Sequence, residues 1–164
     1  MEASAVEIKR YVDLLEDFLS AWNKHDADLI MSFCTEDTVW RAPSMPVAEG
    51  KAAARAYLDS LFQAFPNLHL DYTIHTTGQE PKAASQWHLT ATMQAPLDPP
   101  GFAATGKPIE IEGACLYEFE DGLISRHDNI YDGLELARQL KALPRSDRIA
   151  VLMQRVMVKL PGGG

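Results

Sequence analysis

The sequence predicts an α+β fold, a single domain in which a curved antiparallel sheet wraps around a long first helix. Three observations predict it. Apolar residues recur at helical spacing as far as Phe65 and switch to alternation from Leu68 onward. Asp121-Gly122, set between two alternating runs, is a strong hairpin signal. A length of 164 residues with 46% hydrophobic content suits one domain with a real core. Helices first and hairpin-linked strands afterwards is the α+β order.

Ser4 and Glu7 form an S-x-x-E capping box, followed by Tyr11, Leu14, Leu15, Phe18 and Trp22 on one face. The first helix is therefore expected from about Ser4 to Lys24. Asp26 or Asp28 caps a short second helix carrying Leu29, Ile30 and Phe33. Thr38-Val39-Trp40 reads as a strand, broken by Pro43 and Pro46 in a loop that Gly50 closes. Lys51 to Phe65 is a third helix, stopped by Pro66. Leu68, Leu70, Tyr72 and Ile74 then alternate with His69, Asp71, Thr73 and His75 along a strand.

A second long strand spans about Ala83 to Gln94, with Trp87, Leu89, Ala91 and Met93 on its apolar side. Residues 95–108, rich in proline and glycine, read as an ordered flap over a pocket mouth. Ile109 to Phe119 and Leu123 to Asp132 form the last hairpin, and a helix follows from about Leu134 to Leu143. Beyond Pro144, Ile149, Leu152, Met153, Val156, Met157 and Leu160 make another helical stripe. Residues 145–164 are read as an amphipathic helix and tail within the same domain as residues 1–144.

The formal charge of −8 is dispersed along the chain. It argues against nucleic-acid partners, which need clustered Lys and Arg, and against docking on anionic lipid. MEASAVEIKR lacks the apolar core of a signal peptide, and no run approaches about 18 apolar residues, so a cytoplasmic location is the expectation. Cys34 and Cys115 sit singly on apolar stretches and read as buried small hydrophobes, not a disulfide. His69, Asp71 and His75 share a parity, but about 20 Å of extended strand between the histidines is too far for one ion. No metal is expected. There is no Gly-rich phosphate loop and no G-x-S-x-G, and no cofactor is expected either.

An ordered set of short pieces carries a family resemblance from Leu14 to Leu143. Trp22-Asn23 precedes Asp26; Val39-Trp40 precedes Pro43; Gly50 opens a helix ending in Ala64-Phe65-Pro66. Trp87, Thr105-Gly106-Lys107, Phe119-Glu120-Asp121-Gly122-Leu123-Ile124, Tyr131-Asp132-Gly133-Leu134 and Gln139-Leu140 follow in order. The set resembles the SnoaL-like polyketide cyclase (ester cyclase) family of the nuclear-transport-factor-2-like superfamily. The resemblance implies a cone-shaped barrel and a polar site on the cavity side of the last strand. It implies a homodimer formed through the outer sheet face, where Ala114 and Leu116 lie among Glu110, Glu112 and Glu118. Where the cyclases and the related epoxide hydrolase carry their key aspartate, this chain has Asn129. Asp128 precedes it and by alternation faces the other way, unless a bulge turns it inward. Ala42 stands where ketosteroid isomerase has its base, and no Arg or acid lies between Ala83 and Leu97 as in the epoxide hydrolase.

If Asn129 faces the cavity, so do His127 and Tyr131. His127, with an ordinary pKa near 6.5, suits acid–base duty, and the Asn129 amide suits donation to an enolate oxygen. His127, Asn129 and Asp128 are thus the catalytic candidates. Each has a plainer reading as a hydrogen-bonded structural residue or a surface acid. Trp22, Trp40, Phe62, Trp87 and Tyr131 are expected to line a large pocket for an aromatic or polycyclic ligand, or else to be ordinary core. Two functions follow. One is a cofactor-independent cyclase or isomerase working by proton transfer on a hydrophobic, polyketide-like carbonyl compound. The other is a ligand-binding or assembly module of the same fold without chemistry.

Overall fold

The computed structural model describes residues 5–43, 45–76, 81–143 and 151. The capping box at Ser4 and the helix expected over 149–160 lie outside the described residues, Val151 excepted. Helix α1 (Ala5–Asn23) and α2 (Ala27–Ser32) lead into strands β1 (Cys34–Ala42) and β2 (Met45–Glu49). Helix α3 (Lys51–Ala64) then crosses to β3 (His69–Thr76), β4 (Lys82–Thr92), β5 (Pro108–Glu120) and β6 (Leu123–Tyr131), and α4 (Gly133–Gln139) closes the order.

Local chemistry accounts for most boundaries. Asp26 is the cap of α2, its carboxylate accepting from the Leu29 amide at 2.9 Å, so Asp28 is not needed for that role. Asp132 caps α4 by accepting from Leu134 and Glu135. Asp121 (φ 51°) and Gly122 (φ 79°) both take left-handed backbone, as a two-residue hairpin turn requires.

The strands form one six-stranded sheet in the order β2-β1-β6-β5-β4-β3. Three expectations are corrected here. The sheet is curved but open, not a closed barrel, because β2 and β3 end it as unpaired edges. It is also not wholly antiparallel, since β1 runs parallel to β6. The segment containing Pro46 is a strand, not a loop. Its place at the sheet edge explains this, because a proline there breaks no ladder bond on its free side.

Helix α1 lies on the inner face and buries Leu15, Phe18, Leu19 and Trp22 against Trp40, Tyr117 and Ile124. Asn23 ties its end to β3, donating to the Leu70 carbonyl at 2.9 Å and accepting from the Leu70 amide at 2.7 Å. Gln139 does the same between α4 and β5, accepting from the Glu110 amide and donating to its carbonyl. No helix among the described residues is long and apolar enough to cross a membrane.

Candidate functional site

Alternation on β5 sends Ile109, Ile111, Cys115, Tyr117 and Phe119 inward. On β6 the alternation is interrupted. Phe119 pairs with Ile124, whereas Glu118 pairs with Arg126, a register shift that lets both Ile124 and His127 face inward. Downstream of it, Asn129 and Tyr131 follow His127 on the inner side.

These strands, with β3, β4, α1, α3, α4 and the loop after β4, line a partly open cavity of about 60 Å³. Its walls are mostly aliphatic and aromatic; the polar groups lining it are Trp22, Tyr57, Trp87, Cys115, His127, Asn129 and Tyr131, and among the described residues no Asp, Glu, Lys or Arg lines it. The loop expected to form a flap contributes Leu97, only 1% exposed, and is pinned by Asp98 N–H donating to Ser60 Oγ at 3.1 Å.

Of the five aromatic residues expected to line a pocket, Trp22, Trp87 and Tyr131 do so. Trp40 and Phe62 do not. Trp40 lies one layer behind, stacked on Trp22 at 6.0 Å, and Phe62 packs edge-on against Trp22 and flat against His25. The cavity is also not large. Sites for drug-sized ligands hold roughly 300–1,000 Å³. Here Trp87 swings over Gly113 towards Tyr131, and Leu97 fills from the loop.

His127 is enclosed by aromatic rings: Trp40 at 4.5 Å, Tyr117 stacked at 5.4 Å and Phe18 at 5.8 Å. Burial drives its pKa down to about 4, and the nearby Asp128 charge offsets this only in part. The imidazole is therefore neutral at pH 7. Its Nε2 lies 3.2 Å from Cys115 Sγ, and the same sulfur lies 3.4 Å from Asn129 Oδ1. Burial pushes the Cys115 thiol up to about 12, opposed by Tyr117, Trp87 and Ser85 nearby. Tyr57, also in the wall, is pushed up by burial too. The indole N–H of Trp22 is buried without a hydrogen-bond partner among the described residues.

Asp128 lies on the outer face. Arg126 Nε donates to it at 2.8 Å, and Arg41 lies 3.7 Å away. His69, His75 and His88 are on that face too, and His88 Nε2 contacts Glu110 at 2.9 Å. The sequence alone marks Cys115 only as a buried hydrophobe. Its inward parity, shared with Ile111 and Tyr117, was the available signal.

The sequence profile of the SnoaL-like domain matches residues 15–127. The chain belongs to the SnoaL-like family. Among proteins of curated function, none matches. Solved structures of the family's fold do. A protein from Xanthomonas campestris pv. campestris assigned as a polyketide cyclase superposes with a TM-score of 0.73 at 20% identity, covering 82% of this chain and 98% of that one. A protein from Jannaschia sp. CCS1 assigned as a SnoaL-like polyketide cyclase gives 0.74 at 20% identity, with 88% and 99% covered. AclR from Streptomyces galilaeus, assigned as a hydroxylase, gives 0.68 at 24% identity, with 82% and 97% covered. At these identities the likeness carries the fold and no more. The different reactions attached to similar shapes leave the chemistry to the site itself.

Proposed function

We propose that this SnoaL-like chain binds a small hydrophobic carbonyl compound in the inner cavity and catalyses a proton-transfer step on it. The observation that carries the reading is a neutral imidazole and a carboxamide held together by one sulfur in a wall of aliphatic and aromatic side chains. His127 takes a proton from a carbon next to the carbonyl. The carbonyl becomes an enolate, whose oxygen accepts from the Asn129 amide. Isomerisation returns the proton to another carbon; in ring closure the enolate carbon attacks a second carbonyl, whose oxygen takes the proton back from His127 as its C=O π bond opens. A volume of about 60 Å³ excludes the polycyclic ligand expected from the sequence, and a one-ring ligand enters only if wall side chains move, since benzene fills a cavity of about 150 Å³.

Deuterium exchange at the methylene of ethyl acetoacetate, followed by NMR in heavy water, tests this. The wild-type protein should accelerate exchange above the buffer rate. Tryptophan fluorescence should fall on binding, because Trp22 and Trp87 line the site. Binding without any acceleration would remove the catalytic step.

A second reading has its own observation. No ionised side chain lines the cavity among the described residues, and Asn129 stands where the family resemblance implies an acid. A binding module without chemistry would look like this, and binding without exchange is its signature.

We also propose that two copies pair through the outer sheet face. Leu116 and Ile130 stand 49% and 53% exposed there beside Ala114. Leu116→Arg should convert a dimer into a monomer in sedimentation analysis. A wild-type monomer would rule this pairing out.

A further inference from the structure

Cys115 joins two polar groups of the cavity, His127 and Asn129. It pairs with Asn129 across the β5–β6 ladder, and Tyr117, two residues on, pairs with His127. Its Sγ stands 3.4 Å from Asn129 Oδ1 and 3.2 Å from His127 Nε2. We infer that Cys115 is a positioning residue that sets the polarity of the site. Its S–H donates to Asn129 Oδ1 and its sulfur accepts from His127 Nε2–H, which leaves an amide NH2 and an imidazole Nδ1 lone pair for the ligand.

The argument is a count of protons. A thiol has one proton, and a neutral imidazole has one N–H. Burial holds both groups neutral, with the thiol pushed up to about 12 and the imidazole down to about 4. Asn129 presents its carbonyl oxygen to the sulfur, and in that orientation the thiol proton is the donor between them. Nε2 can then meet the sulfur only as a donor. The single imidazole proton is spent there, and Nδ1 is bare.

The converse arrangement sends S–H to Nε2. It sets Oδ1 against a sulfur lone pair unless the amide turns over. The site would then offer an N–H at His127 and a carbonyl at Asn129, which suits a ligand hydroxyl and not a carbonyl. Cys115 therefore decides which of the two polarities the cavity shows. It acts through its neighbours, so no attack by the sulfur is involved.

Nitrogen-15 NMR of the histidine rings reads the inference directly, with His127→Phe identifying the His127 signals among those of five histidines. At pH 7 the wild-type proton should sit on Nε2. Cys115→Ser, which keeps a donor and an acceptor, should retain that form, and Cys115→Ala should give a mixture of both tautomers. A wild-type proton on Nδ1 would overturn the assignment, whatever the protein binds.

A second measurement rests on the proposed carbonyl ligand, using acetophenone and the acceptor-free ethylbenzene as probes. Cys115→Ala should weaken acetophenone about three- to tenfold relative to ethylbenzene, the scale of one hydrogen bond, with Cys115→Ser restoring it. Equal weakening of both probes would reduce Cys115 to packing and overturn the positioning role. If neither probe binds the wild type, the ligand reading falls, and the tautomer measurement alone still decides the role of Cys115.

Discussion

Replacing His127 by phenylalanine should slow the catalysed exchange by about 10²–10⁴-fold, the usual contribution of a positioned acid–base group. The same substitution should flatten the stability–pH curve between pH 6.5 and 4. In the folded chain His127 titrates near 4, against an ordinary 6.5, because protonation would place a charge among Phe18, Trp40 and Tyr117. Between those pH values the unfolded chain binds a proton that the folded chain does not. Stability is therefore full above pH 6.5 and is lost as pH falls towards 4. At 1.36 kcal/mol per pH unit, His127 alone accounts for roughly 3 kcal/mol of that loss.

Urea unfolding of wild type and His127→Phe at pH 7, 6, 5 and 4 separates this group from the carboxylates, which both proteins share. Parallel curves would mean that His127 is not buried as a neutral base. The pH profile of catalysis gives a companion reading. A base with this pKa is already deprotonated at pH 6, so the rate should be level above about pH 5 and fall below it, instead of turning near 6.5.

Most of the fold was legible because its signals are local. The switch from helical to alternating period placed α3 and β3 within a residue or so, and Asp121-Gly122 placed the last hairpin. Strand β2 was not legible, since Pro46 vetoes a central strand and nothing in a single sequence says that a segment lies at an edge. The open sheet and the parallel β1–β6 pair are likewise properties of strands far apart in sequence.

The candidate site divides the same way. Parity along β6 put His127, Asn129 and Tyr131 on one side and Asp128 on the other, and the register shift falls upstream of all four. What parity does not carry is the cross-strand partner. Cys115 opposite Asn129, within reach of His127, depends on the register of β5 against β6. The low pKa of His127 depends on three aromatic rings from α1, β1 and β5 closing around it. Those contacts make a histidine that reads as a titrating base at neutral pH into an uncharged one.

The size of the cavity turns on one glycine. Gly113 is the ladder partner of Trp87 on β4 and of Tyr131 on β6, so the three residues share one row of the inner face. A methyl group at Gly113 would sit 2.3 Å from the Trp87 ring and 2.5 Å from the Ile130 carbonyl oxygen. A ring standing alone would move cheaply, but Trp87 is 6% exposed and packs on Tyr131 at 6.0 Å, and the second clash is with backbone. Gly113→Ala should therefore destabilise the fold by about 3 kcal/mol, the upper part of the range for overpacking a core. It should also drive Trp87 into the cavity, so that acetophenone binding weakens by more than the stability loss explains. Trp87→Leu in the same chain removes the ring that obstructs the methyl, and the double variant should recover most of the stability lost by Gly113→Ala alone. If the two substitutions are simply additive, the Trp87 ring is not what holds position 113 to glycine, and the Ile130 carbonyl is the whole constraint.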